Sequence, residues 1–143
     1  MRLSTRSRYA VRALGELVRL GGEQTPVMMR RIADGQDISK RYLDNIFGAL
    51  RAAGLVRTVR GARGGYLLTR PASELTVLDV VSALDGELCL VFCVEEDASC
   101  PRKESCGCRQ IWVEASRALQ DALRRVSFRD IARMEIRECS EVR

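Results

Sequence analysis

The fold is decided by residues 38–69, which read ISKRYLDNIFGALRAAGLVRTVRGARGGYLLT. Apolar residues in the first half recur at i, i+3, i+4 and i+7, which predicts one buried face of a helix. They are Leu43, Ile46, Phe47 and Leu50. Ser39 is expected to cap this helix and Gly54 to end it. Two short strands follow, residues 55–59 and 66–69, joined by an arginine- and glycine-rich tip.

Two more helices are predicted before this stretch. The first covers residues 6–20, starts at a Ser4 or Thr5 cap and ends at Gly21-Gly22. Its apolar stripe is Ala10, Ala13, Leu14, Leu17 and Val18. Thr25-Pro26 is expected to open a second, short helix before a turn at residues 34–37. Its expected buried residues are Met28, Met29, Ile32 and Ala33. Helix, helix, turn, helix and hairpin indicate a winged helix-turn-helix domain over residues 1–75.

The remaining residues, 76–143, are predicted to be helical apart from a cysteine-rich loop. Thr76 caps a linking helix over residues 77–84, and residues 89–108 form an ordered loop without periodicity. A long helix over residues 109–126 carries one apolar side: Trp112, Ala115, Leu119, Ala122 and Val126. A short last helix starts at residues 127–130, and the tail after Arg137 is expected to be loose. The predicted fold class is mainly α with a small β-hairpin.

Charge is divided unevenly along the 143 residues. Residues 1–75 carry a net charge of +8 and residues 76–143 a net charge of −3. A basic half beside a mildly acidic one favours contact with a polyanion, although a solvated basic face gives the same count. Apolar runs stay well short of the roughly 20 residues that span a membrane, and the basic N-terminus leads into no apolar signal segment. We therefore expect a cytoplasmic protein without a membrane partner.

The predicted DNA contacts lie in the third helix and the hairpin tip. In a winged helix-turn-helix the third helix enters the major groove with its N-terminal side chains. These are Ser39, Lys40, Arg41, Asp44 and Asn45. Arg60 and Arg63 of the tip can enter a narrow minor groove, and Gly64 lets the backbone approach the duplex. Exposed helix residues and an ordinary glycine turn are the plainer interpretations of the same residues.

Six cysteines and no histidine limit the possible chemistry. Without histidine, Ser-His and Cys-His catalytic pairs are excluded, and the glycines do not form a phosphate-binding loop, so no enzymatic activity is expected. Cys93, Cys100 and Cys106 have loose spacing, unlike the paired cysteines of zinc ribbons. Such spacing in a loop suits an iron–sulfur cluster; reversible thiol oxidation, zinc and inert buried cysteines remain open. Cys139 lies far from the others and is expected to have no role.

The sequence resembles the Rrf-two family of winged-helix transcriptional regulators over about residues 1–135. The similarity rests on residues 1–14, 38–43, 54–56 and 59–66, and on a three-cysteine segment followed by a helix with a tryptophan. The resemblance implies a homodimer paired through the long helix, in which Trp112, Leu119 and Val126 are interface or core residues. Each copy then meets one half-site of a palindromic duplex. It also implies a cluster on Cys93, Cys100 and Cys106 that alters DNA affinity.

The fourth cluster ligand does not follow from the resemblance. IscR-type members use a histidine where this sequence has Arg109, and NsrR-type members use an acidic residue of the partner subunit where it has Arg8. Our hypothesis is that Cys108 or Cys89 completes an all-cysteine site holding a two-iron or four-iron cluster; a small ligand on the fourth iron is the alternative.

The predicted function is that of a DNA-binding regulator, most simply a repressor, that senses redox state, nitric oxide or iron–sulfur status. One alternative is a cluster-free regulator of the same fold that acts by thiol oxidation or through a protein partner. Another is an iron–sulfur carrier, which explains the cysteines but not the basic half. Salt-sensitive duplex binding distinguishes a regulator from a carrier.

Overall fold

The structure is a computed structural model that describes residues 3–95 and 100–141, with the backbone alone for 135–141. It has this element order: α1 (Thr5–Arg19), α2 (Met29–Gln36), α3 (Lys40–Ala52), β1 (Val56–Val59), β2 (Gly65–Leu68), α4 (Val77–Asp85), a 3-10 turn (Phe92–Val94), α5 (Gly107–Arg124) and α6 (Phe128–Glu141). Strands β1 and β2 form an antiparallel hairpin in which Val56 pairs with Leu68 and Val59 with Gly65. The expected fold class, mainly helical with a small hairpin, is confirmed.

The core forms where α1, α2 and α3 pack together and against the hairpin. The predicted buried face of α3 is confirmed, since Leu43, Ile46, Phe47 and Leu50 have no exposed area. Val80 of α4 and Phe128 of α6 are buried in the same cluster. The N-terminal and C-terminal parts of the chain therefore share one apolar core, and a displacement of α4 or α6 is felt by the helices of the DNA-binding half.

The predicted end of α3 is also confirmed. Gly54 has φ +73°, a left-handed conformation that favours glycine. Its N–H bonds to the carbonyl of Arg51 at 3.0 Å, and the N–H of Leu55 bonds to the carbonyl of Leu50 at 2.9 Å. This pair of bonds is the glycine-terminated cap that turns a helix into the next element, here β1.

The prediction for α2 is wrong at both ends. Helix α2 begins at Met29, not at Thr25-Pro26, because Val27 forms an antiparallel bridge with Tyr66 of β2 and keeps the preceding chain extended. Met28 is 52% exposed, not buried. The helix continues through Gln36, where a turn was predicted, and ends at Asp37 with φ +51°.

Capping side chains explain where α1 and α4 begin. Ser4 accepts a hydrogen bond from the N–H of Ser7 at 3.0 Å, which confirms it as the α1 cap. Thr76 and Asp79 form a reciprocal capping box at the start of α4, and Asp79 also pairs with Arg70 at 2.8 Å. The Ser4 cap bonds one backbone N–H group, and the Thr76–Asp79 box bonds two.

The C-terminal helices differ from prediction in their limits. Helix α5 begins at Gly107, so Cys108 belongs to its first turn and not to the loop. Ser127 and Asp130 form the expected start of α6, but this helix runs for 14 residues to Glu141, so it is neither short nor loose after Arg137. Residues 142–143 lie outside the described residues. Among the described residues, no helix is both long and apolar enough to cross a bilayer.

Candidate functional site

The residues predicted to contact DNA from α3 share one exposed surface. The buried side of α3 faces the core, and the opposite side carries Ser39, Lys40, Arg41, Asp44 and Asn45, all exposed. Ser39 occupies the cap position, but its side chain makes no capping hydrogen bond. The first N–H groups of α3 therefore add positive potential at this end, where a phosphate oxygen can be bound.

Charges on this surface are only partly neutralised. Lys40 and Asp44 form an i,i+4 ion pair at 2.8 Å with both side chains substantially exposed, so the pair contributes little stability. Arg41 makes no ion pair with any side chain that the structure describes. Its guanidinium keeps all its donors for a base edge or a phosphate, and Asn45 lies one turn further along the same helix.

The hairpin tip holds the other predicted DNA contacts. Arg60 and Arg63 are exposed and form no ion pair within the described part of the chain. Gly64 is buried, and a Cβ there would lie 2.2 Å from the carbonyl oxygen of Val59. The tight hairpin turn therefore accounts for glycine at position 64, and no DNA contact is needed to explain it. The assignment of these residues to DNA stays a prediction.

The cysteines lie along the segment between α4 and α5. Cys89, Cys93, Cys100 and Cys106 are half-buried, Cys108 is exposed, and all five are free thiols. Cys93 lies in the 3-10 turn, Cys106 occupies the position before α5 without a side-chain capping bond, and Cys108 follows in the first turn of α5. The side chain of Cys139 lies outside the described residues.

Helix α5 holds the first part of this segment in place. The Leu90 N–H donates to Ser116 Oγ at 3.1 Å, and Gln120 Nε2 donates to the carbonyl of Leu88 at 3.0 Å. Arg109 Nε donates to the carbonyl of Cys93 at 3.2 Å, which links the turn carrying Cys93 to the helix end carrying Cys106. Sequence reasoning assigns Arg109 no role and notes only that it stands where IscR-type members have a histidine. Its place three residues after Cys106, on the next turn of the helix, was the available signal.

The donor set fits an iron–sulfur cluster, although the ligands are not assembled. Cysteine thiolates are the ligands that such clusters use. Among the described residues, no three Cys, Asp or Glu side chains lie close enough to hold a metal ion. Burial, a hydrogen bond with Glu87 and the charges of Glu87 and Glu95 raise the pKa of the Cys89 thiol to about 11. Cys89 is therefore protonated at neutral pH in this arrangement.

The fold and the site together define the class of protein. The chain has a helix-turn-helix followed by a two-stranded wing, and both share a core with the C-terminal helices, which is the arrangement of winged-helix regulators. The family model Rrf2, described as "Iron-dependent Transcriptional regulator", matches residues 3–134. The chain belongs to the Rrf2 family of transcriptional regulators, which confirms the resemblance.

Individual relatives support the same family assignment. The chain is 41% identical to protein rrf2 of Nitratidesulfovibrio vulgaris over 133 residues, 93% of this chain and 88% of the relative. It is 36% identical to the regulator IscR of Klebsiella pneumoniae, over 92% of this chain and 79% of IscR. The solved structure of CymR, the global cysteine regulator of B. subtilis, superposes with a TM-score of 0.75 at 30% identity, covering 94% of this chain and 98% of CymR.

Proposed function

We propose that this regulator binds DNA, acts as a repressor, and senses redox state, nitric oxide or iron–sulfur status through a cysteine-held iron–sulfur cluster. One observation carries the proposal. The chain combines an unpaired arginine surface on α3 and the wing with a segment of half-buried free thiols that α5 holds in place. Its similarity to IscR and the iron dependence stated for the family support the cluster.

The regulator acts as a homodimer on a palindromic operator. Helix α5 leaves Ile111 62% exposed and Trp112 43% exposed, an apolar surface that a single chain does not cover. Pairing through this surface gives the dimer two copies of α3 and of the wing, one for each half-site. Arg41 and Asn45 then read bases or hold phosphates, and Arg60 and Arg63 enter the minor groove.

The cluster ligands are Cys93, Cys100 and Cys106, with Cys108 or Cys89 as the fourth. When bound, the cluster would give the regulator one-electron redox chemistry and a reactive iron centre. Cysteine thiols alone stay reduced in the cytoplasm. Ligation fixes the ligand cysteines relative to one another. An effector shifts DNA affinity only to the extent that it binds the two arrangements of this segment with different affinity.

The test is the iron and acid-labile sulfide content, with the visible spectrum, of anaerobically purified protein and its Cys→Ala variants. Wild type is expected to contain both elements and to show broad visible bands. Replacement of Cys93, Cys100 or Cys106 abolishes the bands, whereas Cys139→Ala, the matched control, keeps them. The same replacement at Cys89 and Cys108 identifies the fourth ligand. Wild type that stays colourless after anaerobic reconstitution contradicts the cluster and leaves regulation by thiol oxidation or through a protein partner.

A further inference from the structure

Asp85, at the end of α4, is hydrogen-bonded to Ser4 at the start of α1. Asp85 is the last residue of α4, immediately before Gly86 with φ +83° and the segment that carries Cys89 and Cys93. Its carboxylate accepts hydrogen bonds from the Ser4 N–H at 3.1 Å and from the Ser4 hydroxyl at 2.6 Å. A shift of the cysteine segment that turns the end of α4 must therefore move Ser4 or break these bonds.

Ser4 connects this contact to the first turn of α1. Its hydroxyl oxygen accepts the N–H of Ser7 at 3.0 Å while the hydroxyl proton goes to Asp85. Burial raises the pKa of Asp85, but the hydrogen bonds from Ser4, together with Ser7 and the charge of Arg6, hold the pKa below its usual value. Asp85 is thus a carboxylate at neutral pH, and the Ser4 hydroxyl serves the contact through its proton and the α1 cap through its oxygen.

The first part of α1 in turn contacts the start of α3. The rings of Tyr9 and Tyr42 meet edge to face with centroids 5.6 Å apart. Tyr42 lies in the first turn of α3, next to Arg41. Ala10, Ala13 and Leu14 of α1 have no exposed area and pack in the same core as Leu43 and Ile46 of α3. Close-packed contacts of this kind transmit displacements rather than absorb them.

We infer that the Ser4–Asp85 contact couples the state of the cysteine segment to the position of the recognition helix α3, through α1 and the Tyr9–Tyr42 contact. Ser4 and Asp85 are positioning residues in this scheme and touch neither DNA nor a cluster. The inference rests on the proposed function for its two states, cysteine segment ligated and unligated. Coupling exists only if the contact differs between these states.

The first test measures the ratio of DNA dissociation constants for the cluster-loaded and cluster-free protein, on a duplex selected in vitro with wild type. Asp85→Ala removes the contact and keeps the α1 cap. Ser4→Asp also keeps a good cap but places a second carboxylate against Asp85. Ser4→Thr retains both bonds. Arg129→Ala is the matched control, because it breaks a different link between the two parts of the chain, the 3.0 Å ion pair with Glu23.

A wild-type ratio of about fivefold or more is expected for coupling of this kind. Asp85→Ala and Ser4→Asp bring the ratio close to one, whereas Ser4→Thr and Arg129→Ala keep it. An unchanged ratio in both Asp85→Ala and Ser4→Asp overturns the inference. A wild-type ratio of one also overturns it, because the cysteine segment then has no effect on DNA affinity that the contact could transmit.

A second test needs neither DNA nor a cluster. Hydrogen exchange of the cluster-free protein reports local opening of α3. Asp85→Ala is expected to speed exchange at the amides of residues 44–48, and Arg129→Ala to leave it unchanged. Unaltered exchange in Asp85→Ala overturns the route from Asp85 to α3, even if the regulator binds DNA as proposed. If Asp85→Ala speeds exchange but the wild-type protein binds no duplex, the connection from Asp85 to α3 stands and the proposed function is rejected.

Discussion

The Nε of Arg109 donates a hydrogen bond to the carbonyl oxygen of Cys93 at 3.2 Å, across 16 residues of chain. The bond joins the 3-10 turn to the first turns of α5. Arg109→Ala is expected to free the turn and expose the Cys93 thiol, because the other two hydrogen bonds to α5 act earlier, at Leu88 and Leu90.

The measurement is the rate at which iodoacetamide labels Cys93 in cluster-free protein, followed by peptide mass spectrometry. Arg109→Ala should raise this rate several-fold, and Arg117→Ala, an exposed arginine of the same helix, should not. Equal labelling rates in wild type and Arg109→Ala would show that this bond does not order the segment.

Arg41 and Arg60 are expected to supply binding energy to the DNA complex. Arg41→Ala should cost about 1–3 kcal/mol on the preferred duplex and less on other sequences if the guanidinium reads a base. Arg60→Ala should also weaken binding and reduce its salt dependence, because it removes a positive charge from the minor groove. Fluorescence anisotropy titrations at two salt concentrations measure both effects, with Arg117→Ala as control. Wild-type affinity in both variants would reject the docking of α3 and the wing.

Gly35 is required by Glu16 and not by its own backbone conformation. Gly35 lies inside α2, where alanine normally stabilises a helix by about 1 kcal/mol relative to glycine. A Cβ at this position would lie 2.3 Å from Glu16 Oε1. Gly35→Ala is therefore expected to lower the free energy of unfolding.

The control is Gly48→Ala, because Gly48 is helical and a Cβ there meets no atom within 4 Å. Urea unfolding should show Gly48→Ala stabilised and Gly35→Ala destabilised. When Glu16 is replaced by alanine, Gly35→Ala should change sign and stabilise. A stabilising Gly35→Ala in the wild-type background would mean that the carboxylate moves aside at no cost.

The charge of Glu16 makes stability depend on pH. Its side chain is 2% exposed, and Arg19 Nε donates to Oε2 at 2.7 Å. The hydrogen bond from Arg19 lowers the pKa of Glu16 more than burial raises it, so the folded pKa lies below the ordinary value of 4.5. Ionised Glu16 therefore stabilises the fold above pH 4.5, and this contribution is lost as the pH falls through the folded pKa.

Glu16→Gln should be destabilised relative to wild type at pH 7, with the difference shrinking as the pH drops below 4.5. Urea unfolding at a series of pH values measures this difference. A difference that is constant from pH 7 to pH 3 would assign the effect to packing and not to charge.

Dimer formation should depend on the apolar surface of α5. Ile111→Arg introduces a charge that pairing would have to bury, so the variant should dissociate at concentrations where wild type is dimeric. Met28→Arg alters a residue of similar exposure outside α5 and should leave association unchanged. Sedimentation velocity measures the change. A monomeric wild type would show that there is no dimer interface. A dimeric Ile111→Arg variant would show that the interface lies outside this surface of α5.

Much of the DNA-binding half could be predicted from the sequence because its signals are local. The spacing of Leu43, Ile46, Phe47 and Leu50 marks a buried helix face whatever surrounds it, and Gly54 ends that helix by its own conformational freedom. The start of α2 was missed because it depends on a bridge between Val27 and Tyr66, 39 residues away along the chain. Thr25-Pro26 is a valid local signal that this long-range pairing overrides.

The cysteine segment was harder to predict for the same reason. Its residues lack periodicity, and what holds them in place is contact with Ser116, Gln120 and Arg109 of α5. The Ser4–Asp85 contact joins residues 81 positions apart and has no sequence signature. Cys108 was assigned to the loop because a helix that begins with glycine and cysteine gives a weak start signal.

The most direct measurement compares DNA affinity of one anaerobic preparation before and after an iron chelator removes the cluster. We expect a coloured protein whose dissociation constant for the selected duplex changes about fivefold or more when the colour is lost. Identical binding curves before and after chelation would contradict control by a cysteine-held cluster.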